Sequence, residues 1–287
     1  MTTTQERCIA LSQIIKGDRL AVAPSAYDAL SAMLVERAGF SVVHISGSSS
    51  HRSAGFGDVG LLTLTEQAAR ATMIADSVSI PVIADADTGF GNAISVVRTV
   101  REFERAGVAG IHIEDQFTPK RGFGEASEGG FIPLPEFVGK IAAAVDTRID
   151  PNFIIIARMD ARGEPYERSM ERAHAVTEAG ADALWMGVGR ENQERFAREV
   201  GMPMVGIVGR QQSFETYEKM GYRVAHVPGV LAQAACWGID AALHALKDKG
   251  SEVELFASLP GMDDIGKWFR AIGTDSVKDI QTRYMGA

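Results

Sequence analysis

Acidic residues follow two short apolar runs at the points where each run ends. Asp85 and Asp87 follow Val82–Ala84, and Glu114 follows Ile111–Ile113. Runs of this kind, bounded by Gly and Pro, predict buried strands. Carboxylates at such positions are costly unless they bind a cation or take part in a reaction. Because the candidate ligands are oxygen atoms and include no thiolate, they favour a hard ion, Mg²⁺ first and Mn²⁺ second.

The alternative interpretation is that these acids are helix N-caps or turn residues. Asp85 and Asp87 are two positions apart, so on a strand they lie on one face. A capping role does not require this spacing. The spacing therefore favours a metal site.

The composition predicts a globular enzyme. The chain has 287 residues, of which 46% are hydrophobic and 23% charged, enough for one large domain over residues 1–287. The net charge of −8, with no basic stripe, argues against a nucleic-acid partner. Two cysteines imply no disulfide framework, and no apolar run is long enough to span a membrane. The first residues lack the pattern of a signal peptide, and we expect a cytoplasmic enzyme.

One pattern recurs along the chain: the end of a helix, a glycine, and then a strand. The pattern lies at residues 36–45, 104–113, 177–186 and 218–227, and further strands are predicted at 20–23, 82–84, 153–157 and 204–208. Helices are predicted at 26–37, 64–76, 93–106, 135–144, 166–179, 191–200, 213–220 and 231–247. Eight alternating units predict an α/β fold, a (β/α)₈ TIM barrel. A doubly wound sheet is the alternative, but no Gly-x-Gly-x-x-Gly follows the first strand.

Residues 251–287 lie outside the eightfold pattern. We expect them to form a C-terminal helical extension, with one helix at 264–272, that covers a neighbouring subunit.

The active site of such a barrel lies at the C-terminal ends of its strands. Ser46, Gly47 and Ser48 are expected to form a flexible turn whose N–H groups bind a carboxylate. Arg158 ends a very apolar strand, where an unpaired charge is costly. Arg158 either pairs with Asp160 or Glu114 or binds a substrate carboxylate through both arms of its guanidinium, and we favour the second role.

The remaining candidates each have two interpretations. His44 and His226 are expected at strand ends. Each is either an acid or base, or a residue that holds another site residue in place without contacting the substrate. His112 is expected to satisfy a buried hydrogen bond. Arg210 is either a substrate ligand or solvated, and Lys120 is either part of a gating loop or solvated. The glycine-rich segment after Lys120 favours the gate. The candidate catalytic residues are Arg158, Glu114, His44 and Lys120, and the candidate substrate ligands are Ser46, Gly47, Ser48, Asp85, Arg158, Arg210 and His226.

Between about Val22 and Arg162 the chain resembles the isocitrate lyase/phosphoenolpyruvate mutase superfamily. The matching segments are Pro24–Ser31, Ser46–Gly47, Asp58, Asp85–Asn92, Ile113–Gln116, Pro119–Arg121 and Ile156–Arg158. The resemblance implies a barrel whose helices are swapped between the subunits of a homo-oligomer, a dimer or homotetramer. It also implies a small 2-oxo or 2-hydroxy carboxylic acid as the substrate. The implied metal ligands are Asp85, Asp58, Asp87 and Glu114, bound directly or through water.

Three segments depart from the family pattern. The carbon–carbon lyases carry Lys-Arg-Cys-Gly-His in a mobile loop, with the Cys as general acid, whereas this chain reads Lys120-Arg-Gly-Phe-Gly124. Gly187 stands where the family usually has a Glu after strand six. After strand seven, Ile207-Val-Gly-Arg210 replaces Asn-Met-x-Glu. The resemblance thus covers the metal and carboxylate sites and not the residues that select the reaction.

These observations lead to three functional hypotheses. The favoured one is a Mg²⁺-dependent carbon–carbon lyase, of carboxy-lyase or oxo-acid-lyase type, that forms an enolate. Within it we favour an oxaloacetate decarboxylase, because water can protonate the pyruvate enolate without a dedicated acid. The second is a phosphonomutase or a phosphonopyruvate-type C–P enzyme. The third is a non-catalytic carboxylate-binding homologue.

Overall fold

The computed structural model describes residues 2–120, 131–159, 164–209, 212–258 and 275–286. Eight parallel strands form a closed barrel in chain order, and β1 pairs with β8. This architecture confirms the predicted TIM barrel. The strands are β1 Ala21–Ala26, β2 Val43–Ile45, β3 Val82–Asp85, β4 Gly110–Glu114, β5 Ile154–Met159, β6 Ala183–Met186, β7 Met204–Ile207 and β8 Tyr222–Val227.

Helices alternate with the strands. Those of the described ranges up to residue 230 are α1 Thr4–Lys16, α2 Ala29–Arg37, α3 Gly47–Ser53, α4 Leu64–Asp76, α5 Ala93–Arg105, α6 Leu134–Thr147, α7 Tyr166–Glu178, α8 Arg190–Glu199 and α9 Phe214–Lys219. Helix α2 begins three residues later than predicted, because β1 continues to Ala26 and the Asp28 side chain caps the helix at the Ser31 N–H. Helices α1 and α3 were not predicted.

The strands bury both of their faces. Every residue of β3, β4 and β5 is buried, and α4, α5 and α6 pack apolar side chains such as Ile74, Phe103 and Phe137 at their buried faces. This double burial explains why the strands read as continuous apolar runs in the sequence. The charged side chains of these strands lie at their C-terminal ends, where the candidate site is.

The chain forms two compact units, Met1–Val230 and Leu231–Ala287. The second unit contains most of α10 Val230–Lys249, with α11 Val253–Ser258 and α12 Asp275–Met285. The predicted helix at 264–272 lies outside the described residues. The predicted single domain with an extension from residue 251, and the exchange of helices between subunits, stay predictions. Within the described ranges, no helix combines the length and apolar character needed to cross a membrane.

Candidate active site

A cluster of buried acidic side chains surrounds the ammonium group of Lys120. Its Nζ lies 2.6 Å from Asp87 Oδ1, 2.8 Å from Asp58 Oδ1 and 3.6 Å from Glu114 Oε1. Lys120 itself is 4% exposed, so this charge is neutralised inside the protein and not by solvent. The structure therefore places Lys120 within the acidic cluster and not on a solvated loop surface.

The loop after β3 positions Asp85 and Asp87 differently. Strand β3 ends at Asp85, and Asp87 has a φ of +46°, a left-handed conformation that strands do not adopt. The prediction that both side chains share a strand face is therefore wrong. The Asp87 N–H instead donates to Asp85 Oδ1 at 2.9 Å, and the Glu114 N–H donates to the Asp87 carbonyl at 2.8 Å. A turn tied to β4 thus brings the two carboxylates together.

Ser46, Gly47 and Ser48 begin a helix and do not form the flexible turn that was predicted. The Ser46 side chain caps α3 by accepting from the Ser49 N–H. The Gly47 N–H donates to Asp85 Oδ2 at 3.2 Å. A Cβ at position 47 would lie 2.5 Å from this same oxygen, so only glycine permits the approach. In this structure the Gly47 amide orients the Asp85 carboxylate, and Ser48 is partly exposed.

Arg158 links the acidic cluster to the opposite wall of the barrel. Its Nη2 lies 3.2 Å from Glu114 Oε2, and its Nη1 lies 3.5 Å from Asp85 Oδ2. The guanidinium carbon stands 4.4 Å from the ring centre of Trp185. Arg158 therefore pairs with Glu114, one of its two predicted roles. Asp160, the other predicted partner, lies outside the described residues.

A pocket of about 410 Å³ opens beside Arg158 at the ends of β6 and β7. Its walls include Trp185, Met186, Ile207 and Tyr222, and Gly187 contributes no side chain. This volume falls within the range of small-molecule sites. The pocket lies where the sequence lacks the family's Glu, so room exists next to Arg158 for the body of a small organic acid.

Three histidines lie buried inside the barrel. His44 Nε2 is 3.0 Å from His112 Nε2, which supports the prediction that His112 makes a buried hydrogen bond. The His226 ring lies 4.0 Å from the His44 ring and 5.0 Å from Trp185, between centroids. Neither His226 nitrogen has a hydrogen-bond partner in the described part of the chain. The contact of His44 and His112, 68 positions apart, was not predicted.

Burial and neighbouring charges shift the pKa values of the cluster in different directions. Burial raises the pKa of Glu114 to about 7, although Arg158 and Lys120 oppose the shift. Burial also opposes the charge of Lys120, but the surrounding carboxylates, Glu114 foremost, hold its pKa above the usual value. For Asp85, burial is outweighed by His112, Lys120 and Arg158, and its pKa is lowered. The site thus keeps Asp85 and Lys120 charged while Glu114 is poised to exchange a proton near neutrality.

The acidic cluster fits a hard cation by its donor chemistry. Five oxygens of Asp58, Asp87 and Glu114 have no aligned hydrogen-bond donor within the described ranges, and their contacts with Lys120 are ionic. In the same ranges, no three His, Cys, Asp or Glu side chains are already arranged as metal ligands. The donors are therefore suitable, but they are closed around an ammonium group. A divalent ion has to displace that group to reach them.

Some predicted residues lie outside the described residues. These are Arg210, the expected substrate ligand after β7, and the loop from residue 121 to residue 130 that follows Lys120. Conversely, Trp185 joins the site region without having been predicted there, and Ser25, which lies in the matching segment Pro24–Ser31, had been given no role. For Ser25, the available signal was its place at the C-terminal end of β1, where the site residues of such a barrel lie.

The sequence matches the family model described as phosphoenolpyruvate phosphomutase over residues 11–247. The chain belongs to the phosphoenolpyruvate mutase/isocitrate lyase superfamily, as the fold and the strand-end carboxylates indicate. It is 36% identical over 285 residues to 2,3-dimethylmalate lyase of Eubacterium barkeri, covering 96% of each chain. It is 37% identical over 259 residues to 2-methylisocitrate lyase of Aeropyrum pernix, covering 88% of this chain and 83% of that one.

Two further relatives bear on the reaction. Oxaloacetate decarboxylase of Rhodopseudomonas palustris is 39% identical over 207 residues, which is 71% of each chain. The crystal structure of a phosphonopyruvate hydrolase complexed with oxalate and Mg²⁺ has a TM-score of 0.89 and 28% identity, and the alignment covers 99% of this chain and 100% of that one. The relatives thus include carbon–carbon lyases and a C–P hydrolase on a shared barrel.

Proposed function

We propose that this protein is a Mg²⁺-dependent carbon–carbon lyase that acts on a small 2-oxo or 2-hydroxy acid through an enolate. The observation that carries the proposal is the cluster of Asp58, Asp87 and Glu114, whose five buried oxygens have no aligned hydrogen-bond donor and make ionic contacts with Lys120 and Arg158. Such a cluster is costly to fold unless it serves a cation or a reaction. Asp85 would hold the ion, with Asp58, Asp87 and Glu114 around it. Mn²⁺ is the alternative ion.

The side chains around the ion would bind and orient the substrate. When bound, Mg²⁺ supplies a Lewis acid for the keto oxygen. Arg158 would bind a substrate carboxylate through both arms of its guanidinium, and its packing on Trp185 already fixes the plane of that group. The ion would displace the Lys120 ammonium from Asp87 and Asp58, and Lys120 would then move with the predicted gating loop.

Oxaloacetate is the substrate we favour. In its decarboxylation the C3–C4 bond breaks, C4 leaves as CO₂, the electron pair of the bond forms the enolate of pyruvate, and water then protonates C3. This sequence needs no dedicated acid, which agrees with Gly122 at the position of the family's loop Cys. Similarity to an oxaloacetate decarboxylase supports the choice. His44 is the predicted acid or base if one is needed, and His226 and Arg210 are predicted substrate ligands.

A substrate panel tests the proposal. Purified protein with Mg²⁺ is assayed with oxaloacetate, 2-methylisocitrate, isocitrate, 2,3-dimethylmalate and phosphonopyruvate. We expect oxaloacetate to give the highest kcat/KM. Turnover of phosphonopyruvate alone would instead favour the C–P enzyme, to which the similarity with phosphonopyruvate hydrolase points. Tight binding of oxalate without turnover of any substrate would indicate a non-catalytic carboxylate-binding homologue.

We also propose that the protein is a homo-oligomer, a dimer or a tetramer. No residue of α10 is buried, and Trp237, Ile239 and Leu243 on this helix are 70%, 60% and 59% exposed. Exposed apolar patches of this kind favour protein–protein association. Light scattering during size-exclusion chromatography should give a mass of two or four chains. A mass near 30.8 kDa, that of one chain, would contradict the proposal.

A further inference from the structure

A line of buried polar side chains runs from β1 to Asp85. Ser25 Oγ lies 2.7 Å from His44 Nδ1, and His44 Nε2 lies 3.0 Å from His112 Nε2. At the far end, His112 Nδ1 faces Asp85 Oδ1 at 3.6 Å, an electrostatic contact that is too long for a hydrogen bond. Ser25 and His112 are 0% exposed and His44 is 2% exposed, so water does not complete these contacts from outside.

The contact between the two imidazoles restricts their protons. Two nitrogens 3.0 Å apart form a hydrogen bond only when a single proton lies between them. Both rings are buried, and a second proton on either ring would place an imidazolium in a site that already holds the cations Arg158 and Lys120. Each ring then carries one proton. Only two arrangements remain, with the shared proton on either His44 Nε2 or His112 Nε2.

The Asp85 carboxylate selects between the two arrangements. If His44 Nε2 holds the shared proton, His112 carries its own proton on Nδ1 and presents it to Asp85. If His112 Nε2 holds the shared proton, a nitrogen lone pair faces the carboxylate, which is repulsive in a buried site. The Ser25 hydroxyl completes the first arrangement by donating to His44 Nδ1. The packing of Trp185 on His112, with ring centres 4.7 Å apart, limits rotation of the imidazole.

We infer that Ser25 and His44 are positioning residues that hold His112 in its Nδ1–H form and thereby orient the Asp85 carboxylate. Two other contacts also orient the Asp85 carboxylate, because the N–H groups of Gly47 and Asp87 donate to its two oxygens. Supporting hydrogen bonds of this kind set the orientation of a ligand and raise metal affinity. The inference rests on the proposed role of Asp85 as a Mg²⁺ ligand. It assigns His44 to support of that ligand, without contact to the substrate.

Nitrogen NMR of the unaltered protein tests the proton arrangement directly. The chain has six histidines, so ¹⁵N-histidine labelling gives a spectrum that single substitutions can assign. We expect His112 to be protonated on Nδ1 and His44 on Nε2. The reverse arrangement, or a protonated imidazolium at either position at pH 7, would overturn the inference. This measurement requires neither Mg²⁺ nor a substrate.

Calorimetric titration with Mg²⁺ tests the consequence for Asp85. We expect His44→Phe to raise the Kd for Mg²⁺ about 10- to 100-fold, the usual effect of removing an outer-shell partner. Ser25→Ala should weaken binding in the same direction and shift the His112 nitrogen signals. Ser169→Ala removes a hydroxyl that is also buried but lies on α7. It should change neither the Kd for Mg²⁺ nor the His112 nitrogen signals.

The outcomes separate the inference from the proposed function. If the unaltered protein binds no Mg²⁺, the proposed function fails, and the protonation of His112 seen by NMR still decides whether Ser25 and His44 fix its Nδ1–H form. If both variants fold and bind Mg²⁺ as tightly as the Ser169→Ala control, the positioning role is refuted. If His44→Phe does not fold, Ser25→Ala decides the question, because it removes a single oxygen from a strand.

Discussion

Replacing Lys120 by Met should make the stability of the protein depend on Mg²⁺. The ammonium group lies 2.6 Å and 2.8 Å from Asp87 and Asp58, and it is buried. Removing one partner of a buried ion pair leaves an uncompensated charge and costs about 3–5 kcal/mol. For a barrel of this size that loss corresponds to a fall in Tm of roughly 6–20 °C, at about 2–4 °C per kcal/mol. Protonation of the acids reduces the loss below neutral pH.

Mg²⁺ should reverse much of this loss, because it can enter the carboxylate cluster once the ammonium is gone. A ligand at about 100 times its Kd stabilises the folded state by about 2.7 kcal/mol. Thermal unfolding of both proteins, with Mg²⁺ and with a chelator, measures the effect. Mg²⁺ should raise the Tm of Lys120→Met more than that of the unaltered protein, and calorimetry should show tighter Mg²⁺ binding by the variant.

A matched control is Lys140→Met. Lys140 is also buried, but its ammonium donates to the Thr88 carbonyl at 3.1 Å and lies outside the acidic cluster. Its loss should lower the Tm without changing the response to Mg²⁺. An equal Mg²⁺ response in Lys120→Met and the unaltered protein would refute the conclusion that the ammonium and the ion use the same carboxylates.

Four further predictions concern binding, stability and turnover. Arg158→Lys should raise KM for carboxylate substrates, because Lys lacks the planar fork; unchanged kinetic constants would make Arg158 structural. Mg²⁺ binding at pH 6.5 should release a proton from Glu114, because burial raises the pKa of this side chain to about 7. The calorimetric enthalpy of Mg²⁺ binding should therefore vary with the buffer in the unaltered protein. It should not vary with the buffer in Glu114→Gln. Glu114 contributes fully to the stability of the metal-free protein below its usual pKa of 4.5, and this contribution is lost as the pH rises through about 7. In Glu114→Gln, the free energy of unfolding should lack this dependence on pH. Isocitrate and 2-methylisocitrate should be cleaved poorly, since a general acid contributes about 10²–10⁴-fold to the rate and Gly122 cannot act as one. Cleavage gained in Gly122→Cys would support this prediction. Robust cleavage by the unaltered protein would contradict it.

The barrel could be predicted because the local signals for a strand and a helix alternate eight times along the chain. Gly39, Gly107, Gly180 and Gly221 each follow a helix and adopt a positive φ, as helix-ending glycines do. The apolar runs that follow them are strands buried on both faces, so their type was readable without tertiary information. Helix α3 was missed because its first turn is Gly and Ser, which are poor helix formers, and the cap supplied by Ser46 resembles a turn signal.

The site could be predicted only in part. Strand ends identify Asp85, Asp87 and Glu114, and the family resemblance adds Asp58; Asp58, Asp87 and Glu114 do lie together around Lys120. Their contact with Lys120, however, depends on where the chain returns after β4, which no local pattern encodes. The pairing of His44 with His112 likewise depends on contacts across the barrel interior. Predicting it requires the stagger of strands far apart in the sequence.

The most direct test of the account is Mg²⁺-dependent formation of pyruvate from oxaloacetate by the unaltered protein and by Asp85→Asn. A protein-free reaction with the same Mg²⁺ concentration supplies the background. The account predicts turnover well above background that a chelator abolishes, and a rate near background for Asp85→Asn with its fold intact. Equal Mg²⁺-dependent turnover by the two proteins would contradict the account, because the ion would then not depend on Asp85.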